Sequence, residues 1–463
     1  MKWILKDFLE FNPKESIKKG NMAKKIAMEQ LNPFCRDIYN YEITPYTGGC
    51  KFRNDDTIMA RITPCLENGK RAKINILSLN EVGFGSTEYI VFRAKQNISD
   101  PDFIYYLICS DLIREPAIKS MVGSSGRQRV QTDVLENLEL DLPNIETQQK
   151  IGSLLRSFDD KILLNQQQNN NLEQQAQALF NEKILNSQKS GYIGDYCSVK
   201  SGFAFKSSWW QEEGARVIKI KNIEPSGLNL QESSFVSEDK ISIAKDFIVK
   251  GGDLLIAMTG ATIGKFTMVP HVDEVLLVNQ RVGKFFLGDN PLEKLPFIYC
   301  TLKQPEIISE IINRGQGSAQ PNISGNDIMS ISCIYPDENT ITCFNNICRP
   351  FFEKIITNKY ENTRLAQLRD TLLPKLMSGK IDVSKVNISA DKLSFILLFI
   401  QSDQPEFKVT SQNFLYPLIT LVFIGVWDIP DQPEFFCFAR NIARLASPHM
   451  VYRQEGPVGT FTP

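Results

Sequence analysis

SFDDKILLN (residues 157–165) returns as PFFEKIITN (350–358), 193 residues later. Around the first copy, Leu155, Phe158, Ile162, Asn165, Asn169, Leu172, Ala176 and Leu179 are spaced alternately by three and four residues, the seam of a coiled-coil helix. Cys348, Phe351, Ile355, Asn358, Asn362, Leu365, Arg369 and Leu372 repeat that spacing around the second. Each seam holds two asparagines near its middle. A buried Asn costs stability but fixes register, and antiparallel pairing brings both Asn pairs to the midpoint, where their amides can bond across it. Asn165, Asn169, Asn358 and Asn362 are therefore assigned to register. The other reading of NQQQNNNLEQQAQ (165–177) is a polar surface of low complexity. Helices of about 35 residues reach about 50 Å at 1.5 Å per residue.

The repeat extends outward from the helices. FIYYLICSDLIREPAIKSM from Phe103 corresponds to FIYCTLKQPEIISEIINRG from Phe297, and TDVLENLELDLP from Thr132 to NDIMSISCIYP from Asn326. So long a period means two copies of one large unit, each a mixed globular module followed by a long helix. Within the modules, DTIMARI (from Asp56), YIVFRA (from Tyr89), RVIKIKNI (from Arg216) and DLLIAM (from Asp253) read as strands between Gly, Asn and Pro punctuation. Helical stretches are expected at 103–121 and 296–313. The expected fold is α+β: two duplicated α/β modules separated by two long helices that pair as an antiparallel coiled coil, pseudo-twofold, with the modules at opposite ends of a rod. The expected boundaries are module one at 1–147, a central helix at 148–186, module two at 187–339, a C-terminal helix at 340–380, and an atypical tail at 381–463.

At 463 residues, 42% hydrophobic and 23% charged, the chain is an ordinary globular one rather than a disordered or fibrous one. Lys+Arg 52 against Asp+Glu 53 gives a net charge of -1, so attraction to nucleic acid must come from local patches. With His271 and His449 as the only histidines, triads and His-based zinc sites are hard to assemble. Ten scattered cysteines without a C-x-x-C pair read as buried, reduced thiols of a cytoplasmic protein. Lys6, Asp7 and Glu10 interrupt any signal-peptide core, and the apolar stretch from Phe414 to Trp427 falls short of the ~20 residues of a membrane span, so no membrane role is expected.

Motifs for catalysis are incomplete. GATIGKF from Gly260 has three residues between its glycines where a phosphate loop needs four, and Phe266 where that loop has Ser or Thr. LNPFC from Leu31 lacks the second Pro of the amino-methyltransferase signature, and no G-x-G-x-x-G accompanies it. Asp403, Glu406 and Lys408 imitate a nuclease motif outside the repeat. No catalytic or metal-binding residue is assigned. What remains is a recognition surface, since Arg and Lys anchor phosphates while Arg, Asn and Gln read base edges. The first module offers Arg61, Lys70 and Arg71, then Arg127, Gln128 and Arg129. The second offers Lys206, Lys221, Lys265, Arg281, Gln316, Gln320 and Asn322.

Particular stretches then point to a family. SGFAFKSSWW (201–210), GDLLIAMTGATIGKFTMVP (252–270), VLLVNQRVGKFFL (275–287) and GSAQPNISGND (317–327) resemble the target-recognition domains of type I restriction-modification specificity subunits. ARITPCLENGK (60–70) and GFGSTEYIVFRAK (83–95) extend the resemblance to the first module, so that it covers about residues 1–383. The resemblance implies two target-recognition domains, each reading one half of a split, asymmetric site in double-stranded DNA. It implies helices that act as a spacer ruler and as a docking surface for two methyltransferase subunits. It further implies that those partners use S-adenosylmethionine, that ATP- and Mg-dependent restriction/translocase subunits join them, and that this chain performs no chemistry and needs no cofactor. A ~50 Å rod spans about 15 base pairs at 3.4 Å each.

The tail departs from the family pattern, which ends near SGKIDV (378–383). It repeats DQPEF at Asp403 and Asp431 and reads as a poorly folded product of readthrough or frameshift, an added partner-binding domain being the other reading. Two further readings of the whole chain stay open at this point: a self-sufficient DNA methyltransferase or nuclease with degenerate motifs, and a coiled-coil adaptor that binds protein.

Overall fold

The computed structural model describes residues 1–124, 126–224, 227–230, 233–316 and 321–383. The tail from 384 onward, including the apolar stretch from Phe414, lies outside the described residues, as does Gln320.

The two long helices are Ile145–Lys183 and Glu338–Met377, of 39 and 40 residues, or about 60 Å each. Their starts are capped by the same device 193 residues apart: the side chains of Asn144 and Asp337 accept from the backbone N–H of Thr147 and Thr340. They run antiparallel. Asn165 donates to Asn362 Oδ1 at 2.8 Å and to Glu361 at 2.9 Å, while Asn358 donates to Asn169 Oδ1 at 2.8 Å and to Gln168 at 2.9 Å. Asn165, Asn169 and Asn358 are buried, so a one-turn slip would strand their amides without partners. The asparagines of the two seams thus meet across the helix pair.

Beyond that midpoint the two ends differ. Asp159, buried near one end, is ion-paired with Arg369 and accepts from Tyr106 Oη at 2.5 Å. Shifting each residue by 193 leads to Phe352 and Ala176, both buried in a continuous apolar core with Phe180, Phe344 and Phe297. The pseudo-twofold relation holds for the backbone and the asparagines and is broken by this charge pair.

Each module is built on two larger sheets and a helical pair. In the first, the strands Leu9–Phe11, Tyr89–Ala94, Thr57–Ala60 and Arg71–Lys73 form an antiparallel sheet in that order. Glu42–Pro45, Met22–Ile26, Gly83–Gly85 and Cys50–Phe52 form the other, with one parallel pair between Met22–Ile26 and Gly83–Gly85. The second module repeats the first sheet as Ser198–Ser201, Val282–Phe286, Leu254–Ala257 and Phe266–Met268. It repeats the other with its parallel pair, Ala215–Ile218 beside Leu276–Val278, and adds an edge strand, Trp210–Gln211. Thr57–Ala60 and Leu254–Ala257 are buried at every position because they lie centrally in sheets covered on both faces. Each module closes where its chain enters and leaves: Lys2–Ile4 pairs with Glu139–Asp141, and Ser190–Tyr192 with Ser332–Ile334.

The expected helical stretches 103–121 and 296–313 are each a pair of helices, Pro101–Cys109 with Asp111–Lys119 and Leu295–Leu302 with Pro305–Gly315. At Ser110 the backbone is extended and the hydroxyl donates to the Leu107 carbonyl, while Pro305 starts a new helix because it has no N–H to continue the old one. One expectation needs correction: the thiols are not uniformly buried, since Cys197, Cys300, Cys333 and Cys348 are but Cys343 is exposed. Its place in the first turns of the second long helix lies off the seam.

Along the first long helix the modules take opposite halves. Arg36 pairs with Asp160 at 2.7 Å and Tyr39 donates to Gln166 at 2.6 Å, fixing the first module. Tyr299 donates to Glu173 at 2.9 Å, and Phe180 packs against Phe297 and Phe344, fixing the second.

Candidate nucleic-acid interface

In the first module three separate segments meet beyond one end of the antiparallel sheet. The segment leaving Thr57–Ala60 contributes Arg61, the residue preceding Tyr89–Ala94 is Glu88, and the Gly-flanked loop at 122–130 contributes Arg127, Gln128 and Arg129. Backbone bonds tie them together: Arg61 N–H to Glu88 O at 2.9 Å, Val130 N–H to Arg61 O at 2.9 Å, and Thr63 N–H to Gln128 O at 3.1 Å. Ile62 and Arg129 form a bridge, and so do Val122 and Arg129.

The second module assembles the same three segments. Met258 N–H bonds Arg281 O and Ile323 N–H bonds Met258 O, both at 3.0 Å, and Thr259 bridges Asn322 as Ile62 bridges Arg129. Lys265 lies in the same turn, its carbonyl accepting from Ala257 at 2.8 Å. This is where GATIGKF falls, as a connection between strands with Gly260 and Gly264 at positive φ. Two more loops join here. Phe203 bridges Asn279, and Asn279 N–H bonds Ile218 O at 3.0 Å, which brings Lys206 and Lys219–Lys221 toward Arg281. The approach is close enough that a Cβ on Gly202 would lie 2.4 Å from the Val278 carbonyl oxygen.

The candidate side chains differ in availability. Arg127, Lys206, Lys221, Lys265, Arg281, Gln316 and Asn322 are exposed, while Arg61, Gln128 and Arg129 are half-buried. Lys70 and Arg71 turn inward: Lys70 Nζ donates to the Met28 carbonyl at 2.8 Å, and Arg71 Nε reaches Cys109 Sγ at 2.8 Å while packing over Phe34. Gln320 lies outside the described residues.

Glu88, Trp209 and Trp210 were not anticipated as site residues. Glu88 accepts from Arg129 Nε at 3.0 Å and from its Nη2 at 2.7 Å, and it stands 3.7 Å from Arg61 Nε. The hydrogen bond from Arg129 holds the Glu88 carboxyl below its ordinary value, so the pair persists until pH falls through that lowered value. Lys206 and Lys240 flank Trp209 at 5.4 and 5.1 Å from its ring. Lys219 sits 3.7 Å from the Trp210 ring centre, where burial first and Lys221 second lower its ammonium. The alternation of aromatics and lysine in SGFAFKSSWW is the one sequence signal for these tryptophans.

Among the described residues no helix is long and apolar enough to cross a membrane, and no three His, Cys, Asp or Glu side chains converge as a metal site.

The type I restriction modification DNA specificity domain matches this chain twice, over residues 2–174 and 189–368. The MjaVIII type I restriction enzyme specificity subunit of Methanocaldococcus jannaschii is 23% identical over 330 residues, covering 67% of this chain and 77% of that protein. The MjaIX specificity subunit of the same organism is 26% identical over 319 residues, covering 62% and 70%. The crystal structure of a type I restriction-modification system S subunit from M. genitalium aligns with 81% of this chain and 95% of its own, at 19% identity and a TM-score of 0.47.

Proposed function

The chain belongs to the type I restriction modification DNA specificity family and is a sequence-specificity subunit, and from that premise we propose that it reads a bipartite, asymmetric DNA site for partner subunits that carry out the chemistry. The observation that carries this reading is the recurrence of one three-segment surface in both modules, built on a shared scaffold but with different side chains. A common scaffold gives each half-site the same approach to the groove, and divergent loops give each its own letters.

On this reading residues 1–147 and 187–339 are the two target-recognition domains, and the long helices between and after them set the gap. Arg127, Gln128, Arg129 and Arg61 serve the first half-site; Lys206, Lys221, Lys265, Arg281, Gln316 and Asn322 serve the second, to which Gln320 is assigned by sequence alone. Lys70 and Arg71, turned inward, act by holding the loop that carries Arg61. Lys206 and Lys219, beside Trp209 and Trp210, are suited to phosphates because a lysine held against a ring loses little freedom on binding. Two methyltransferase subunits supply S-adenosylmethionine and methylate adenine. Restriction/translocase subunits supply ATP- and Mg-dependent cleavage. The chain itself holds no cofactor and works in the cytoplasm.

Binding to duplex DNA tests the surface directly. Replacing Arg127 and Arg281 together by Ala should weaken binding and, if both touch phosphate, lower the slope of log affinity against log salt by about two. If they touch bases, the slope stays and one letter in each half-site relaxes, by about 1–3 kcal/mol each. Unchanged affinity, slope and sequence preference would overturn this assignment.

A further inference from the structure

Glu88 and Arg281 occupy the same place in their modules, each immediately before the strand that lies second in the antiparallel sheet. One is an acid and the other a base, and the consequence for the neighbouring loop is large. In the first module Glu88 grips Arg129 side-on, with bonds from Nε to both carboxylate oxygens at 3.0 Å and from Nη2 to Oε1 at 2.7 Å. A guanidinium has a side-on edge, Nε with Nη2, and an end-on edge, Nη1 with Nη2. The first is filled by Glu88. Among the described residues Nη1 takes no bond, and the Arg129 side chain is 43% exposed where Glu88 is 24% exposed. The end-on edge is the one that meets O6 and N7 of guanine bidentately in the major groove.

We infer that Glu88 is a positioning residue of the first module: it fixes Arg129 with its end-on edge outward, so that Arg129 reads a guanine in the first half-site. An arginine held by a carboxylate has already lost the side-chain freedom that a loose one loses on binding, and it is aimed. The backbone agrees with this arrangement. Arg129 is bridged to both Ile62 and Val122, so the residue carrying the guanidinium is itself anchored on two sides. Arg127, two residues earlier, is exposed and forms no ion pair among the described residues. In the second module Arg281 stands where the acid would be, and Asn322 stands where Arg129 does, so that module reads its half-site by other means.

The inference rests on the specificity reading above, and the test separates the two. The full chain with its methyltransferase partner is used to methylate genomic DNA, and the modified motif is mapped for the unaltered chain, E88Q, R129A, the E88Q/R129A pair and R129K. The unaltered chain should give a split motif with a fixed guanine in one half. E88Q and R129A should both relax that same letter, by about tenfold or more, and the pair should be no more relaxed than R129A alone. R129K, which keeps the charge but loses the planar fork, should relax it as well. The second half-site and the gap should be unchanged in every variant, which also shows that the chains are folded. The inference is overturned if E88Q or R129K keeps every letter, if both half-sites relax together, or if all sites weaken equally with no change of letters. An unaltered chain that yields no split motif would overturn the specificity reading itself, and this inference with it.

Discussion

Replacing Arg369 with Ala is expected to destabilise the helix pair by about 3–5 kcal/mol, the penalty for leaving a buried charge without its partner. Asp159 is 4% exposed, and Arg369 supplies its counter-charge from the opposite helix. The nearby Arg36 is committed to Asp37 at 3.1 Å and Asp160 at 2.7 Å, and the Tyr106 hydroxyl gives Asp159 a hydrogen bond but no charge. Asp159→Asn made on top of Arg369→Ala should restore part of the loss, because it removes the stranded charge while keeping an acceptor for Tyr106. Urea denaturation followed by helical circular dichroism reads both. A loss below ~1 kcal/mol for Arg369→Ala would mean that the pair behaves like an exposed one and that the asymmetry between the two ends carries no energetic weight.

The second large effect concerns the rod. Removing residues 162–168 together with 359–365 takes one heptad from each helix and leaves the rest in register, with Asn169 still opposite Asn358. Seven residues at 1.5 Å shorten the rod by about 10 Å, or about three base pairs at 3.4 Å. The change removes the Tyr39–Gln166 and Tyr360–Asp273 hydrogen bonds, but both modules keep their other seats on the helices. The methylated motif should then keep both half-sites and narrow its gap by about three positions. Loss of both half-site preferences, or an unchanged gap, would show that the helices do not measure the distance.

Much of this architecture was legible before any coordinates. The seam could be read because three-and-four spacing recurs in two stretches at one offset, and the asparagines marked its midpoint twice. Thr57–Ala60 and Leu254–Ala257 were legible as strands because short β-rich runs stand there between Gly, Asn and Pro punctuation. The breaks at Ser110 and Pro305 were harder, since apolar periodicity continues across them while a hydroxyl or a missing N–H ends the helix locally. At the candidate surface, sequence supplied the loops but not the direction of each side chain. Lys70 and Arg71 sit beside Arg61 in the same basic stretch, yet a long side chain can carry its charge inward, as these do to Met28 and Cys109. Glu88 was invisible as a partner because Arg129 lies 41 residues away, and Asp159 because Arg369 lies 210 away. Pairings across such separations are set by the fold, and no local pattern announces them.

This chain is expected to direct a modification complex to its DNA sequence, and mapping N6-methyladenine across a genome shows whether it does. Cells carrying the partner methyltransferase would be compared with and without this chain. A methylated motif in two parts, separated by a fixed gap and present with this chain alone, is the predicted result. Methylation that is the same in both cells, or a new motif without a gap, would contradict the account.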